Sequence, residues 1–419
     1  MRCFVVKKTI LSLIFILLIL SGAVCKLRSQ TVTVQRERAY LRQGPGSYFE
    51  VITQIPVKTK LTPLAKEDSW LKVNYKDSDG YISETVTKAK TNRKDVFAQM
   101  GSTTADVTVS RHGMSAGVKG FGERFSKAFK GDPDFLTAAD SYELNAKEFE
   151  KFRKDTYKNV NLRKLRKQYA LANRELPDYY TESQEGFGLG IASSVASLGL
   201  YKNPAAQEYI NAVGQLVVDA GDVNDINFKF FILDIPEPNA YACPGGYIFI
   251  TRGMLRTLVD EAELVCVLAH EIGHISRFHG LKELSQRKNQ IAAEDAFAEL
   301  DADLPDAYDE ETKLTEQELE DEAFSMYETI FQGRLDAYEK EADALAILFA
   351  ARAGYSPLEL RSALQRLLNA KTNSNNQHYR KDFLQMRLNW IDEGLADVKF
   401  PSNLLTNQTR WEKYIKSVD

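Results

Sequence analysis

The chain has 419 residues, of which 44% are hydrophobic and 27% charged, and its formal net charge is -4 at neutral pH. A single hydrophobic core rarely grows to this length, so we expect two or more domains. The slightly acidic balance offers no basic surface for a phosphate backbone, which excludes nucleic acid as a main partner. The composition therefore predicts an ordinary globular protein of several domains.

Residues 1–25 have the layout of an export signal. Two lysines precede an apolar run at residues 10–20, and small residues follow around Ala23, where we expect cleavage. An uncleaved membrane anchor and a lipid-modified Cys25 remain alternatives. Each of the three would export the protein, so we expect a periplasmic or cell-envelope location, with any membrane association made through the N-terminus.

Residues 31–88 alternate apolar and polar positions in short runs that turn residues separate, which predicts a small β-barrel. The loop at residues 41–47, the strand Trp70–Val73 and the Gly80–Ile82 segment resemble the bacterial SH3-like domain in order and spacing. The resemblance implies a peptide, cell-wall or protein ligand, or a neighbouring domain. Recruitment of a partner and simple packing against the rest of the chain both remain open.

The rest of the chain divides into three parts by composition. Residues 89–184 read as a linker and covering helices, residues 185–400 as the main domain, and residues 401–419 as a C-terminal tail. Within the main domain the pattern predicts helices at 188–199 and 209–218 and strands at 226–233 and 247–250. The fold class that follows is α+β, with a mostly helical domain around a small sheet.

The segment Glu294–Glu322 is dominated by acidic residues, and Lys313 is its single base. It lies between the two segments that carry candidate metal ligands. It is therefore either a flap that guards a cleft or a solvated helical excursion with no gating role.

The strongest local signal is the motif His270–His274, which the surrounding pattern places on a helix. Asp260 and Glu263 have the spacing of an N-terminal capping box, and Gly280 offers a C-terminal stop. Cys266 lies one turn before the motif, and we interpret it as a buried packing residue. With so few cysteines clear of the N-terminus, a disulfide framework is not expected.

The spacing of this motif suits a metal ion. His270 and His274 are four residues apart and share one helix face, so both imidazoles can bind the same metal. Glu271 is rotated by about 100° and can reach a water molecule at that metal. Zinc suits these donors because it accepts imidazole nitrogen and carboxylate oxygen and keeps one position open.

A third ligand should come from another element. The helical run around residues 338–346 carries Glu339 and Asp343, which are four residues apart and share a face. One carboxylate can then bind the metal while the other accepts a hydrogen bond from a ligand imidazole. An exposed charged helix is the alternative.

Three motifs between Gly186 and about Gly354 resemble one family of metallopeptidases. They are residues 239–253, the His270–His274 motif and the Glu339–Asp343 segment, in that order. The chain is similar to the HtpX and CAAX prenyl protease family of gluzincins, closest to its soluble, exported, BepA-like branch. The resemblance implies a zinc site with ligands His270, His274 and Glu339, a catalytic base at Glu271, and a supporting role for Asp343.

The resemblance also implies how a substrate would bind. It makes the strand at residues 247–250 the sheet edge beside the cleft, where an extended peptide would add as another strand. On this basis we assign substrate binding to Asn239, Gly246, Tyr247 and Ile248.

One region departs from the family pattern. Members often carry a histidine followed by proline and then an arginine, whereas here no proline follows His378 and the interval to Arg387 differs. His378, Tyr379 or Arg387 could stabilise the oxyanion or switch the metal site, and we take His378 as the catalytic candidate. The alternative for His378 is an exposed histidine in a loop. His279 receives no role, because on a continuing helix it should face away from His274.

The sequence thus predicts an exported zinc metalloendopeptidase that hydrolyses misfolded or unassembled envelope proteins. Its partners are polypeptide substrates, together with a cell-wall or protein ligand for the SH3-like domain. Two alternatives stay open: a non-catalytic binding or assembly factor, and a cell-wall peptide hydrolase that the barrel targets.

Overall fold

The computed structural model describes residues 31–36, 39–88, 126, 131–171, 180, 182–283, 334–370, 381–415 and 418. The predicted export signal, the acidic segment Glu294–Glu322 and His378 lie outside the described residues. Within the described ranges, no helix is both long and apolar enough to cross a membrane. A small β-domain precedes a mostly helical domain with its own short sheet, which confirms the predicted α+β class.

The small β-domain is an SH3-like arrangement of short strands. They are β1 (Val32–Thr33), β2 (Ala39–Arg42), β3 (Val51–Ile55), β4 (Lys60–Leu61), β5 (Ala65–Glu67), β6 (Trp70–Tyr75) and β7 (Ser78–Ser83). An antiparallel sheet runs in the order β3-β2-β7-β6-β5, and β1 pairs with β4. Alternate residues such as Leu41, Val73 and Ile82 point inward and form a core of their own.

The helical domain surrounds a short sheet of β8 (Lys229–Leu233), β9 (Ala240–Cys243) and β10 (Tyr247–Thr251). Its helices are α1 (Pro133–Ser141), α2 (Ala146–Thr156), α3 (Leu162–Gln168), α4 (Glu182–Ala196), α5 (Pro204–Gly221), α6 (Arg252–Thr257), α7 (Glu261–Ser276), α8 (Asp336–Arg352), α9 (Glu359–Asn369), α10 (Lys381–Leu395) and α11 (Gln408–Ile415). The central helices α5, α7 and α8 pack against one another and carry much of the main core.

The order of the three strands differs from the prediction. Strand β10 pairs in parallel with β8 on one side and antiparallel with β9 on the other, so it is the middle strand. The turn Pro244–Gly246 folds the chain back after β9, with positive φ at Gly245 and Gly246. The prediction that β10 forms the sheet edge is therefore wrong. In the part of the chain that is described, the edge on this side is β9.

Helix α7 begins as its sequence predicts. The Asp260 side chain accepts a hydrogen bond from the backbone N–H of Glu263 at 2.9 Å, and Glu263 Oε2 accepts one from the Val259 N–H at 2.8 Å. These bonds satisfy amide groups that have no partner within the helix. Cys266 is fully buried in this helix, and burial raises the pKa of its thiol, which confirms a packing residue.

Helix α7 ends at Ser276, earlier than the stop predicted at Gly280. Phe278 has a φ of 59°, a left-handed conformation that breaks the helical path. The Phe278 ring is buried and stacks on Tyr180 at a centroid distance of 4.2 Å, while the Tyr180 hydroxyl donates to the Ile275 carbonyl at 2.9 Å. These contacts hold the bend and turn the following residues back toward the helix.

Helices α7 and α8 approach closely where both carry small residues. A Cβ added at Gly273 would lie 3.4 Å from Cβ of Leu345 and 3.5 Å from Cα of Ala342. These are ordinary van der Waals distances, so the gap between the two helices at this position is about the size of one methyl group. This contact sets the separation between the histidines of α7 and the acidic residues of α8.

A buried carboxylate ties the start of α7 to the end of the described chain. Glu261 is fully buried and accepts hydrogen bonds from the hydroxyls of Tyr209 at 2.7 Å and Tyr355 at 2.5 Å. It also accepts from Nδ2 of Asn407 at 2.8 Å and Nε of Arg410 at 2.6 Å. A buried charge is tolerated only with such a complete set of partners.

We expect Glu261→Gln to lower the free energy of unfolding by about 2 kcal/mol or more, because it leaves the Arg410 guanidinium without its countercharge. Chemical denaturation of the purified protein measures this change. The matched control is Glu412→Gln on α11, which removes an exposed carboxylate. Equal stability of the two variants would contradict the anchoring role of Glu261.

Candidate metal centre

His270 and His274 lie one turn apart on α7 and direct their Nε2 atoms into the same space. The two Nε2 atoms are 3.0 Å apart. Glu339 on α8 places Oε2 at 3.3 Å from Nε2 of His270 and Oε1 at 3.4 Å from Nε2 of His274. All three side chains are buried, and one donor atom from each lies within 4.8 Å of the others. The fold thus brings together the three residues predicted as metal ligands.

The chemistry of these donor atoms fits a divalent cation. Nδ1 of His270 is 2.9 Å from Oδ1 of Asp343, so Nδ1 keeps its proton toward this carboxylate and Nε2 is the nitrogen that can offer a lone pair to a cation. Lone pairs from two imidazoles and a carboxylate then converge in one buried space, an arrangement that a cation stabilises. Two imidazoles and one carboxylate are also the protein ligands of an open catalytic zinc site.

Arg387 on α10 completes the surroundings of His270. Its Nε donates to Oδ2 of Asp343 at 3.0 Å and its Nη2 to Oδ1 at 2.6 Å, a bidentate ion pair in which both side chains are buried. Arg387 Nη1 is also 3.4 Å from Oε2 of Glu339. Such a pair fixes the carboxylate plane, and the carboxylate in turn fixes the ring of His270.

These neighbours shift the pKa values of the site. Burial and Arg387 lower the pKa of His270, but the hydrogen bonds of Asp343 and Glu339 and the charge of Asp343 outweigh them and raise it to about 9. Burial lowers the pKa of His274 to about 3. Burial opposes ionisation of Asp343, but Arg387 and His270 outweigh it and lower its pKa. At neutral pH and without a cation, His274 is therefore neutral, Asp343 is charged and His270 is protonated. A cation that binds Nε2 of His270 thus has to displace the proton from that nitrogen.

We expect Asp343→Ala to weaken binding of Zn²⁺ by roughly 10–100-fold, since His270 loses the acceptor that orients its ring. Competition with a chromogenic chelator measures this affinity. The control is Asp336→Ala, an exposed position in the first turn of the same helix. Affinity that falls equally in both variants would remove the special role of Asp343.

His279, which received no role from the sequence, lies against His274. The Nδ1 atoms of the two rings are 2.9 Å apart, and Nε2 of His279 is 3.3 Å from Oε2 of Glu341. His279 is fully buried and stacks on Tyr338 at a centroid distance of 4.4 Å. The bend at Phe278 produces this contact, because a continuing helix would turn His279 away. If His274 offers Nε2 to a metal, its Nδ1 proton is donated to His279, whose own proton faces Glu341.

We expect His279→Phe to weaken Zn²⁺ binding about tenfold, because the ring still packs on Tyr338 but accepts no hydrogen bond from His274. His279→Asn should retain most of the affinity, since an amide oxygen can take the place of Nδ1. The chelator competition described for Asp343 applies to both variants. Equal affinities for the two would show that His279 acts through packing alone.

Glu271 faces the cleft beside the candidate metal centre. It follows His270 directly and therefore projects in a different direction from the two histidines. It is partly exposed, and burial of its carboxylate raises its pKa, which suits a group that takes and returns protons. The cleft is lined by Asn239, Ala240, Tyr241, Ala242, Met254, Val267, His270, Glu271, His274, Arg334, Leu360, Ala363, Leu364, Leu367 and Arg387.

Arg334 was also missed by the sequence reasoning. Its Nη2 donates to the carbonyl of Ala242 on β9 at 2.8 Å, and its Nη1 is 3.5 Å from Oε2 of Glu283. It precedes α8, so no helical periodicity links it to Glu339. The structure thus places a buried cation at the end of the cleft beside the edge strand.

The four predicted substrate-binding residues separate in the structure. Asn239 lines the cleft, directly before the edge strand β9. Tyr247 and Ile248 are buried in the middle strand β10, and Gly246 occupies the turn before it, where an added Cβ would overlap the Asn227 carbonyl. Among the described residues, β9 therefore takes the place that the sequence reasoning gave to β10.

Comparison with known proteins identifies two parts of the chain. Residues 204–385 match Peptidase family M48, and residues 37–87 match the Bacterial SH3 domain. The first match runs from the start of α5 to Gln385, just beyond the first turn of α10, and the three candidate metal ligands lie inside it. Both resemblances predicted from the sequence are thereby confirmed.

Individual relatives match over shorter stretches. The chain is 30% identical over 105 residues to the beta-barrel assembly-enhancing protease of Escherichia coli, covering 25% of this chain and 20% of that protein. A putative protein of the same name from Vibrio cholerae is 34% identical over 92 residues, covering 22% and 19%. The mitochondrial metalloendopeptidase OMA1 of Schizosaccharomyces pombe is 29% identical over 77 residues, covering 18% and 23%. The chain thus spans about a fifth of the length of these curated relatives.

Proposed function

We propose that this chain, which contains a peptidase family M48 domain and a bacterial SH3 domain, is an exported zinc-dependent endopeptidase. The observation that carries the proposal is the convergence of His270, His274 and Glu339 beside Glu271 at one cleft. The names of the relatives, which include proteases and metalloendopeptidases, support the same reaction. His270, His274 and Glu339 would hold the zinc.

When bound, zinc supplies a Lewis acid that polarises the scissile carbonyl and lowers the pKa of a water molecule to about 7. Glu271 takes the proton of the attacking water and passes it to the leaving amine. Asp343 and Arg387 hold the ring of His270, and His279 holds the ring of His274, so neither ligand has to reorient during the reaction.

The cleft supports an extended polypeptide as substrate. In an antiparallel pair, the residues between hydrogen-bonded partners direct their backbone groups away from the neighbouring strand. The Thr251 N–H donates to the Asn239 carbonyl at 2.9 Å, so Asn239 is a hydrogen-bonded partner of β10. The backbone N–H and C=O groups of Ala240 and Ala242, which alternate with such partners, therefore point away from β10. A substrate strand would pair with these outward groups. It would replace Arg334 at the Ala242 carbonyl and the Asn239 side chain at the Ala240 N–H.

The other wall of the cleft favours apolar side chains. Helix α9 contributes Leu360, Leu364 and Leu367, and Val267 on α7 adds to the same surface. Apolar side chains become accessible when a protein is unfolded or unassembled. Backbone pairing with β9 combined with an apolar pocket thus supports misfolded or unassembled envelope proteins as substrates, in line with the assembly-enhancing relatives.

We expect Glu271→Gln to abolish cleavage of unfolded casein, with a loss of about 100-fold or more, while zinc stays bound. The amide cannot accept the water proton, and it leaves the three ligands in place. Cleavage is followed by gel electrophoresis with and without a chelator, and zinc content is measured by metal analysis after dialysis. Unchanged turnover with bound zinc would remove Glu271 as the base.

Glu339→Gln provides the contrasting variant, because it should lose zinc as well as activity. Full zinc occupancy after dialysis would discredit Glu339 as a ligand.

If the unaltered protein binds zinc but shows no chelator-sensitive cleavage, a non-catalytic binding or assembly role would replace the proposed hydrolysis. Release of fragments from purified peptidoglycan would instead favour a cell-wall peptide hydrolase.

A further inference from the structure

The aromatic loop of the SH3-like domain is buried in the helical domain of the same chain. Tyr48 is 5% exposed and belongs to the main core, not to the small core of its own domain. Its ring meets Phe149 of α2 edge to face at a centroid distance of 4.4 Å, and its hydroxyl donates to Glu150. Phe49 beside it packs partly buried against the same core. This loop is thus a contact surface between the two domains.

Two glycines in the loop, Gly44 and Gly46, make room for its aromatic rings. A Cβ added at Gly44 would overlap the ring of Phe49, and a Cβ at Gly46 would overlap the ring of Tyr48. The two glycines let both rings fold back over the loop and present one aromatic surface. SH3 folds commonly bind extended ligands through grooves lined by aromatic side chains. Here the aromatic residues of the loop have an internal partner.

Polar contacts around the loop fix the same orientation. Arg36 Nη1 and the Thr85 hydroxyl both donate to Asp225, at 3.0 and 2.6 Å, and the Arg36 and Asp225 side chains are 7% and 9% exposed. Nε2 of Gln215 donates to the Ser47 hydroxyl at 2.9 Å. A charge pair buried to this degree costs free energy unless its partners stay together.

Two polar partners of the SH3-like domain, Gln215 and Asp225, lie on and just after α5, which also contacts the metal-centre helix α8. Gly221 at the end of α5 approaches Phe349 of α8 so closely that an added Cβ would lie 3.1 Å from its ring. Arg352 of α8 donates to the Ala220 carbonyl and, at 2.8 Å, to Asp222. The end of α5 is thus held between the SH3-like domain and the helix that carries Glu339.

We propose that the SH3-like domain uses its Tyr48–Phe49 loop to bind its own helical domain, as a brace on α2 and the end of α5. The occupant of this aromatic surface is the same chain, so an external peptide or wall fragment does not bind there. The proposal concerns the assembly of the two domains and is independent of the proposed peptidase activity.

Hydrogen exchange of the full-length protein tests the brace. Arg36→Glu places a carboxylate against Asp225, and we expect amide exchange in residues 215–225 to accelerate about tenfold or more. The double variant Arg36→Glu with Asp225→Arg reverses the pair and should restore slow exchange. Lys66→Glu is the control, because Lys66 pairs with Glu84 in an exposed position within the SH3-like domain. It should leave exchange in α5 unchanged.

Two outcomes would overturn the proposal. One is slow exchange in residues 215–225 in both Arg36→Glu and a Tyr48→Ser variant. The other is saturable binding of peptidoglycan fragments to the unaltered chain that Tyr48→Ser abolishes without any change in α5 exchange. If Arg36→Glu does not fold, the charge-reversed double variant decides: a folded protein with protected α5 supports the brace, and an unfolded one contradicts it.

Discussion

The close contact of α7 and α8 at Gly273 is the constraint on which the candidate metal centre depends. Two imidazoles on one helix can only half-surround an ion, and the third donor must come from a helix nearby. Because Gly273 and Ala342 are small, the backbones approach far enough for the Glu339 carboxylate to reach both Nε2 atoms. A Cβ at position 273 would already fill the gap to Leu345 and Ala342, so a side chain larger than alanine has to be accommodated between the two helices.

Around this contact, each of the two histidines is held by its own pair of partners. Asp343 and Arg387 hold His270, while His279 and Glu341 hold His274. The helical domain therefore fixes the ligand rings by hydrogen bonds that do not involve the metal. Helix α5, which contacts the SH3-like domain, also meets α8 at Gly221 and through Arg352.

The sequence predicted those features of the site that follow from the periodicity of a single helix. The four-residue spacing of His270 and His274, and of Glu339 and Asp343, fixes their faces once the helices form. What escaped prediction depends on backbone conformation or distant contacts. The left-handed Phe278 brings His279 back to His274, and the turn after β9 makes β10 the middle strand. Arg387 was noticed in the sequence, but its ion pair with Asp343 joins residues 44 positions apart. The predicted domain limits and the role of His378 stay predictions.

The anchoring of Glu261 has a consequence for the order in which the protein can mature. The guanidinium that neutralises this carboxylate belongs to Arg410, which is synthesised 149 residues later. Until that segment emerges, the helix that carries His270 and His274 would have to enclose an uncompensated charge, which disfavours its final packing. The histidine-bearing helix thus reaches its final packing only after Arg410 has emerged, so the candidate metal centre forms well after its two histidines have been synthesised.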